Sequence, residues 1–386
     1  MTQIYQFKGP AIIVNGPGAA KEVGSYGKGF GKKALIVTDN FLEKIGLLEE
    51  IKKTLDAAGI SFGIYDRVVM EPTMTYTEEG LKFYKESGAE FLIAIGGGSP
   101  IDAAKGISAL AANPGKMSDF EGSNKIQKPG APLIAIPTTA GTGSEVTQFT
   151  IITDTVRNVK MLIASPMIMP RVALVDPLMT MKMPQGITAA TGLDALTHAI
   201  EAYVSVKAQP ITDTLALDAI RLISENLRLA WCNGDNTDAR IKMMTGALEA
   251  GLAFSNASVA LVHGMARPIG AYFHVPHGIS NAALLSTVME FSIPGAPGRY
   301  AAIAEAMGEK TIGLSALDAG YQAAKAVKRL TGDLKIPALR GLGVDEGKFN
   351  SVVNQMALDA ITSGSPGNNP RKATREEIVE LYKKAF

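Results

Sequence analysis

Only four histidines occur among the 386 residues. Three of them, His263, His274 and His277, fall in the single segment LVHGMARPIGAYFHVPHG, residues 261–278. The fourth, His198, sits in TGLDALTHAIEAYVS, four residues after Asp194. On a helix, positions i and i+4 project from one face, so this carboxylate and this imidazole point the same way. An isolated D-x-x-x-H pair is more often a surface hydrogen bond, and a lone histidine on an apolar face is more often a satisfied core residue. His263 and His277 change the balance. One carboxylate and three imidazoles make a complete donor set for a borderline divalent ion, Fe(II) or Zn(II). Glycine follows both later histidines, as Gly264 and Gly278, and leaves room for close approach. The chemistry on offer is Lewis-acid polarisation of a bound oxygen.

Two kinds of element must position these groups. The first half of the chain alternates short apolar runs with helical patterns: KKALIVTDN, LEEIKKTLDAAGI, ISFGIYDRV, TYTEEGLKFYKESGAE, EFLIAIGGG, SPIDAAKGISALAAN and PLIAIPTT. Near-continuous Ile/Leu/Ala strands alternating with helices predict a parallel sheet covered on both faces. ITDTVRNVKMLIASPMIMPRVALVDP reads as a hairpin and edge strands closing that layer. From MPQGITAATG, residues 183–192, long helical patterns take over and run to the C-terminus. The expectation is an α/β, Rossmann-like nucleotide domain over residues 1–183 and an all-α domain over 184–386.

A second candidate site lies in FLIAIGGGSPIDAAKG. A buried strand runs into Gly96, Gly97 and Gly98, with Ser99 expected as N-cap, Pro100 as N1 and Asp102 as an acidic N3. Glycines without Cβ let a phosphate approach the backbone, and the helix start offers free N–H groups and the positive end of a dipole. A tight strand-to-helix turn needing glycine for geometry alone is the plainer alternative. G-x-G-x-x-G and G-x-x-x-x-G-K-[ST] are both absent, which weakens ATP or GTP hydrolysis. Asp39 ends ALIVTD, where a carboxylate takes ribose hydroxyls and repels a 2′-phosphate, favouring NAD over NADP; capping the next helix is the alternative. In PTTAGTGSEVT the hydroxyls of Thr138, Thr139, Thr142 and Ser144 are candidates to line a nucleotide.

Bulk composition narrows the partners. Thirty-eight basic and 37 acidic residues leave a net charge of +1, which argues against nucleic acid or an acidic membrane as the main partner. The single cysteine, Cys232, rules out an internal disulfide and suits a reducing, cytoplasmic setting. No apolar run of about 18 residues lacks Pro, Gly or charge, so no spanning helix is expected.

Together GGGSPIDAAKG, PTTAGTGSEVT, TGLDALTHAIEAYVS and HGMARPIGAYFHVPHG resemble the iron-containing (group III) alcohol dehydrogenases, in order and spacing across the chain. The resemblance implies the architecture shared with dehydroquinate synthase, a nucleotide domain facing a helical metal domain. It implies that Asp194, His198, His263 and His277 are metal ligands for Fe(II), with Zn(II) as the alternative. It implies NAD held by Gly97, Gly98 and Ser99 at the pyrophosphate, with Asp39, Thr138, Thr139, Thr142 and Lys160 around the remainder. Leu178 and Phe254 are implied near nicotinamide or substrate, and a homodimer by the habit of the family. The activity implied is oxidation of a small alcohol or reduction of its aldehyde. A zinc-dependent polyol dehydrogenase and a non-catalytic nucleotide- and metal-binding assembly protein are the competing readings. One position departs from the family: where many members carry a proton-relaying histidine, this chain has Arg267, which stays protonated. The proton then leaves through water, a ribose hydroxyl or His274, or else Arg267 grips an anionic group on the substrate. A structural salt bridge is the third reading of Arg267.

Overall fold

The computed structural model describes residues 4–69, 71–157 and 159–386. The chain divides into two compact units, residues 8–183 and residues 184–386. Residues 4–7 group with the second unit, not with the sheet domain where the sequence placed them. The Gln209 side chain fixes them there, donating to the Gln6 carbonyl at 3.2 Å.

In the first unit the order is β1 (Ile12–Asn15), α1 (Val23–Gly27), β2 (Lys33–Val37), α2 (Asn40–Lys44), α3 (Glu49–Ala57) and β3 (Ser61–Tyr65). Then come α4 (Met74–Ser87), β4 (Phe91–Gly96), α5 (Gly98–Ala112) and β5 (Gly122–Ser123). β6 (Leu133–Pro137), β7 (Phe149–Asp154), β8 (Val159–Ala164) and β9 (Val172–Val175) complete it. Six strands form one parallel sheet in the order β1-β9-β6-β4-β2-β3. The strand period of two sorts its side chains cleanly. Ile36, Phe91, Ile93, Ile95 and Ile134 face one core with Ile51 and Leu55 of α3. Leu35, Val37, Leu92, Ala94 and Leu133 face the other with Ile101, Ala104 and Ile107 of α5. Both faces are covered, which is why these strands carry no polar alternation.

The later strands depart from the expectation. β7 and β8 do form an antiparallel hairpin, but with β5 they make a separate three-stranded sheet. β9 is no edge strand: VALV is fully buried between β1 and β6. Its four apolar residues without a polar face are the signature of an interior strand.

The second unit runs α6 (Gln185–Val204), α7 (Pro210–Cys232), α8 (Thr237–Ala257), α9 (Leu261–Phe273), α10 (His277–Ser292), α11 (Pro297–Ala306), α12 (Ala316–Asp333), α13 (Glu346–Thr362) and α14 (Arg375–Ala385). Residues 188–189 and 192–204 of α6 are buried, so this helix is the unit's centre. Glycines let its neighbours approach: a Cβ on Gly192 would meet Leu227 of α7 at 2.4 Å, and one on Gly278 of α10 would meet the Ala190 carbonyl of α6 at 2.3 Å. Among the described residues no helix is long and apolar enough to cross a membrane.

Candidate metal centre and nucleotide site

In the first unit, the topology gathers the nucleotide candidates at the C-terminal ends of the parallel strands. β2 connects outward to β3, while β4 lies on its other side and leads to β6 and β9. A crevice at such a reversal of strand order is where open α/β sheets take ligands. Asp39 follows β2, Gly97 and Gly98 follow β4, Thr138 and Thr139 follow β6, and Leu178 follows β9. Helix α5 starts earlier than its sequence suggests. Gly97 is the N-cap, extended at φ −73° and ψ −161°, and Gly98 is the first helical residue, so Ser99 stands inside the helix. Three glycines in a row remove the steric reason to wait for a serine cap. Gly96 takes φ +155°, a conformation strained for any residue with a Cβ. A Cβ on Gly98 would lie 3.0 Å from Thr142, and one on Gly97 3.4 Å from Thr139. The threonine loop therefore packs directly over the start of α5.

Several candidate side chains have structural partners. Asp39 caps α2, accepting from the Leu42 N–H at 2.9 Å through Oδ1. Lys160 pairs with Glu71 at 2.6 Å. The Ser144 hydroxyl is committed inward: it donates to Asp102 at 2.5 Å and accepts from Lys105 at 2.9 Å. Lys105 is fully buried and also donates to Thr147 and to the Phe149 carbonyl, fastening β7 to α5. Burial pushes its pKa down to about 8, with Asp102 and Glu145 opposing. Ser144 thus belongs to a buried brace, as does Asp102, whose other oxygen accepts from the Ile151 N–H at 2.9 Å.

In the second unit, three helices converge. Asp194, His263 and His277 offer ligand atoms that all lie within 4.8 Å of one another. Asp194 Oδ1 stands 3.7 Å from His263 Nε2 and 3.8 Å from His277 Nε2. Asp194 and His263 are buried. His277 opens α10 and keeps 35% of its side chain exposed, so the cluster has one face toward the outside. His198 adjoins the three by stacking: its ring lies 4.5 Å from that of His263 at 22°, and 4.1 Å from Phe254 at 13°. His198 therefore turns its face, not its nitrogen edge, to His263.

Two further residues belong to this cluster. Glu201, one turn beyond His198 on α6, is buried and accepts from His263 Nδ1 at 2.6 Å. Its carboxylate also accepts the N–H groups of Val262 at 2.5 Å and His263 at 3.4 Å, capping the start of α9. Asn281, one turn into α10 after His277, has its Nδ2 2.7 Å from Asp194 Oδ1, 3.1 Å from His263 Nε2 and 3.2 Å from His277 Nε2. Both were legible in principle. Glu201 follows His198 at i+3 and Asn281 follows His277 at i+4, the same helical rule that pairs Asp194 with His198.

The electrostatics match a cation. With the Nδ1–H of His263 donating to the Glu201 carboxylate, the neutral ring turns its Nε2 lone pair to the cluster. Three acceptors then face a single amide with two protons, a buried surplus of negative potential. Burial opposes ionisation of Asp194, but His198, His277 and His263 outweigh it and hold its carboxyl far below the usual range. Burial also opposes protonation of His263, and Asp194 and Glu201 more than reverse that, raising its pKa. His277 is pushed down to about 3, by burial first, against the pull of Asp194. A field that draws a proton to His263 beside a neutral His277 and an ionised Asp194 suits a divalent ion, and the N,N,O donor chemistry fits one.

Arg267, one turn after His263, donates to Ser365 Oγ at 3.0 Å and, among the described residues, makes no ion pair. Burial lowers its pKa, with Glu201 opposing, and its charge in turn lowers that of His277. His274 is exposed and left-handed, at φ 57°, where it ends α9. It is not drawn into the cluster.

The comparisons agree with the geometry. The family model described as iron-containing alcohol dehydrogenase matches residues 10–177, and that of the Fe-containing alcohol dehydrogenase family, C-terminal, matches residues 188–386. The lactaldehyde reductase of Escherichia coli (strain K12) is 44% identical over 358 residues, covering 92% of each chain. The NAD-dependent methanol dehydrogenase of Bacillus methanolicus is 41% identical over 379 residues, covering 98% of each. A crystal structure of 1,3-propanediol oxidoreductase superposes with a TM-score of 0.97 at 41% identity, each chain covered completely. Matched by both family models, one for each unit, this chain belongs to the iron-containing alcohol dehydrogenase family.

Proposed function

We propose that this protein is an NAD(H)- and divalent-metal-dependent dehydrogenase that interconverts short-chain alcohols or diols and their aldehydes. The carrying observation is the convergence of Asp194, His263 and His277 in a chain with only four histidines. The relatives named above support it, since all three act on small alcohols, diols or aldehydes by their names. Asp194, His263 and His277 would hold the ion, with His198 the fourth donor, and Fe(II) is the reading while Zn(II) suits the same atoms. When bound, the ion supplies Lewis acidity to the substrate oxygen and NAD supplies the hydride acceptor.

The chain's own residues do the rest. Gly97, Gly98 and Ser99 offer the N–H groups at the start of α5 to the diphosphate. Asp39 keeps Oδ2 for ribose hydroxyls while Oδ1 caps α2, and its charge disfavours a 2′-phosphate. Thr138, Thr139 and Thr142 border the same edge, and the exposed Leu178 offers apolar surface there. Phe254 backs His198 and limits its ring rotation. Activity is followed by NADH absorbance. Chelation is expected to lower the rate at least about a hundredfold, with Fe(II) added anaerobically, or Zn(II), restoring it. Full activity after verified metal removal would sink the reading. Absence of turnover in metal-loaded protein on any short alcohol or diol would favour the assembly-protein alternative.

Arg267 sets a preference within that substrate class. Among the described residues this desolvated guanidinium has a neutral hydrogen bond to Ser365 and no carboxylate partner, and so retains donors for an anion. Arg267→Ala is expected to lower kcat/KM for an aldehyde bearing a carboxylate or sulfonate about 10- to 100-fold, and for a neutral aldehyde of equal length by much less. Equal losses on both substrates would remove the anion-holding role.

A further inference from the structure

One buried carboxylate adjoins the metal candidates without being one of them. Glu201 lies at 2% exposure on α6, facing the first turn of α9. One of its oxygens accepts the Val262 N–H, and the other lies 2.6 Å from His263 Nδ1. A carboxylate at that distance is an acceptor only, so the nitrogen opposite it must carry the proton. An imidazole with Nδ1–H has its lone pair on Nε2, and His263 Nε2 is the atom that stands 3.7 Å from Asp194 Oδ1. The same carboxylate caps the helix from which His263 projects, so it fixes both where the ring starts and which nitrogen is bare. We propose that Glu201 is a positioning residue that sets the tautomer of His263 and so primes Nε2 as a metal ligand. This rests on the reading of Asp194, His263 and His277 as the metal donors.

The decisive variant is Glu201→Gln, nearly the same shape. Its carbonyl can still accept the Val262 N–H and keep α9 capped. Its NH2 group then faces His263 Nδ1, which must accept, and the proton moves to Nε2 and points into the ligand cluster. Two readouts follow. In metal-free protein labelled with ¹⁵N at histidine, with the pH raised until the His263 ring is neutral, two-dimensional ¹⁵N–¹H spectra distinguish the tautomers. Wild type should show His263 protonated at Nδ1 and Glu201→Gln should show it protonated at Nε2. In parallel, Co(II) and Zn(II) dissociation constants are measured by chelator competition. The variant should bind about 10- to 100-fold more weakly, the usual effect of removing a ligand's outer partner. Glu201→Asp restores a carboxylate and should return the Nδ1–H form with most of the affinity, and it replaces Glu201→Gln as the comparison with wild type should the latter not fold. In that case a wild-type His263 found protonated at Nε2, against the carboxylate at Nδ1, would overturn the idea. An unchanged tautomer and unchanged affinity in Glu201→Gln would overturn it. Failure of the wild type to bind either metal would instead strike the metal reading, and the tautomer spectra would still decide the role of Glu201.

Discussion

Asp194→Asn is expected to reduce kcat by about 10³-fold or more and to strip the protein of tightly held metal. Asparagine has almost the shape of aspartate, so packing is retained while the charge is lost. That charge is the only formal negative among the three converging donors. It also stands against the Nε2 atoms of two imidazoles, His263 at 3.7 Å and His277 at 3.8 Å, where a cation would share all three donors. An amide at position 194 would present either an NH2 group, which repels a cation, or a weakly donating carbonyl. Asn281 now donates to Asp194 Oδ1 at 2.7 Å and would meet an amide in its place, so two amides would compete for one orientation. Lewis acidity at a reacting oxygen contributes several kcal/mol, and each 1.36 kcal/mol is tenfold in rate. Metal content by elemental analysis and kcat under anaerobic Fe(II) check the expectation together. A variant that keeps stoichiometric metal and near wild-type turnover would mean that Asp194 is not a ligand.

Much of this centre was legible because it obeys a local rule three times over. Asp194 and His198, His263 and Arg267, His277 and Asn281 are each i,i+4 pairs on one helix face. The rule finds pairs but does not say which helices meet, so Glu201 reads as one of several acidic residues on an amphipathic stretch. Only contact across 62 positions shows its carboxylate against His263. The parallel sheet was readable for a similar reason: strands such as LIAIP and FLIAIG have no polar face to present to water. β9 was misjudged because a strand of four residues carries too little pattern to tell an interior position from an edge. Ser99 was misplaced as a cap because propensity ranks serine above glycine there, whereas the glycines before it already adopt the required geometry. Ser144 sits in a loop that looks like a nucleotide lining, but a lysine 39 positions away, fully buried, claims its hydroxyl. For Glu201 and Ser144 the deciding partner is distant in sequence, and propensity has no access to it.

The second large effect concerns a residue with no functional group. Gly278→Ala adds one methyl at the second position of α10, immediately after His277. That carbon would stand 2.3 Å from the Ala190 carbonyl oxygen and 3.4 Å from Asp194 Cβ. The obstructing atom is backbone in the middle of the central helix α6, so no side-chain rotation relieves it, and trimming Ala190 to glycine would not help. A contact of 3.0 Å is the least that real Cβ atoms tolerate, so α10 must withdraw from α6 by about 0.7 Å or more at this point. The withdrawal acts on the line between His277 and Asp194, since the two elements that carry them are the ones forced apart. Forced overpacking of this kind costs about 1–3 kcal/mol, and a displacement near 1 Å at a reacting centre costs about a hundredfold in rate. The expected outcome is a melting temperature lower by about 2–10 °C, Zn(II) affinity reduced at least about tenfold, and kcat/KM down about a hundredfold even at saturating metal. Gly298→Ala is the control: it lies in α11 with no atom within 4 Å of the added carbon and an ordinary backbone conformation. It should leave activity unchanged and add up to about 1 kcal/mol of stability. If Gly278→Ala matched Gly298→Ala in metal affinity and turnover, the close seating of α10 on α6 would have no part in placing His277.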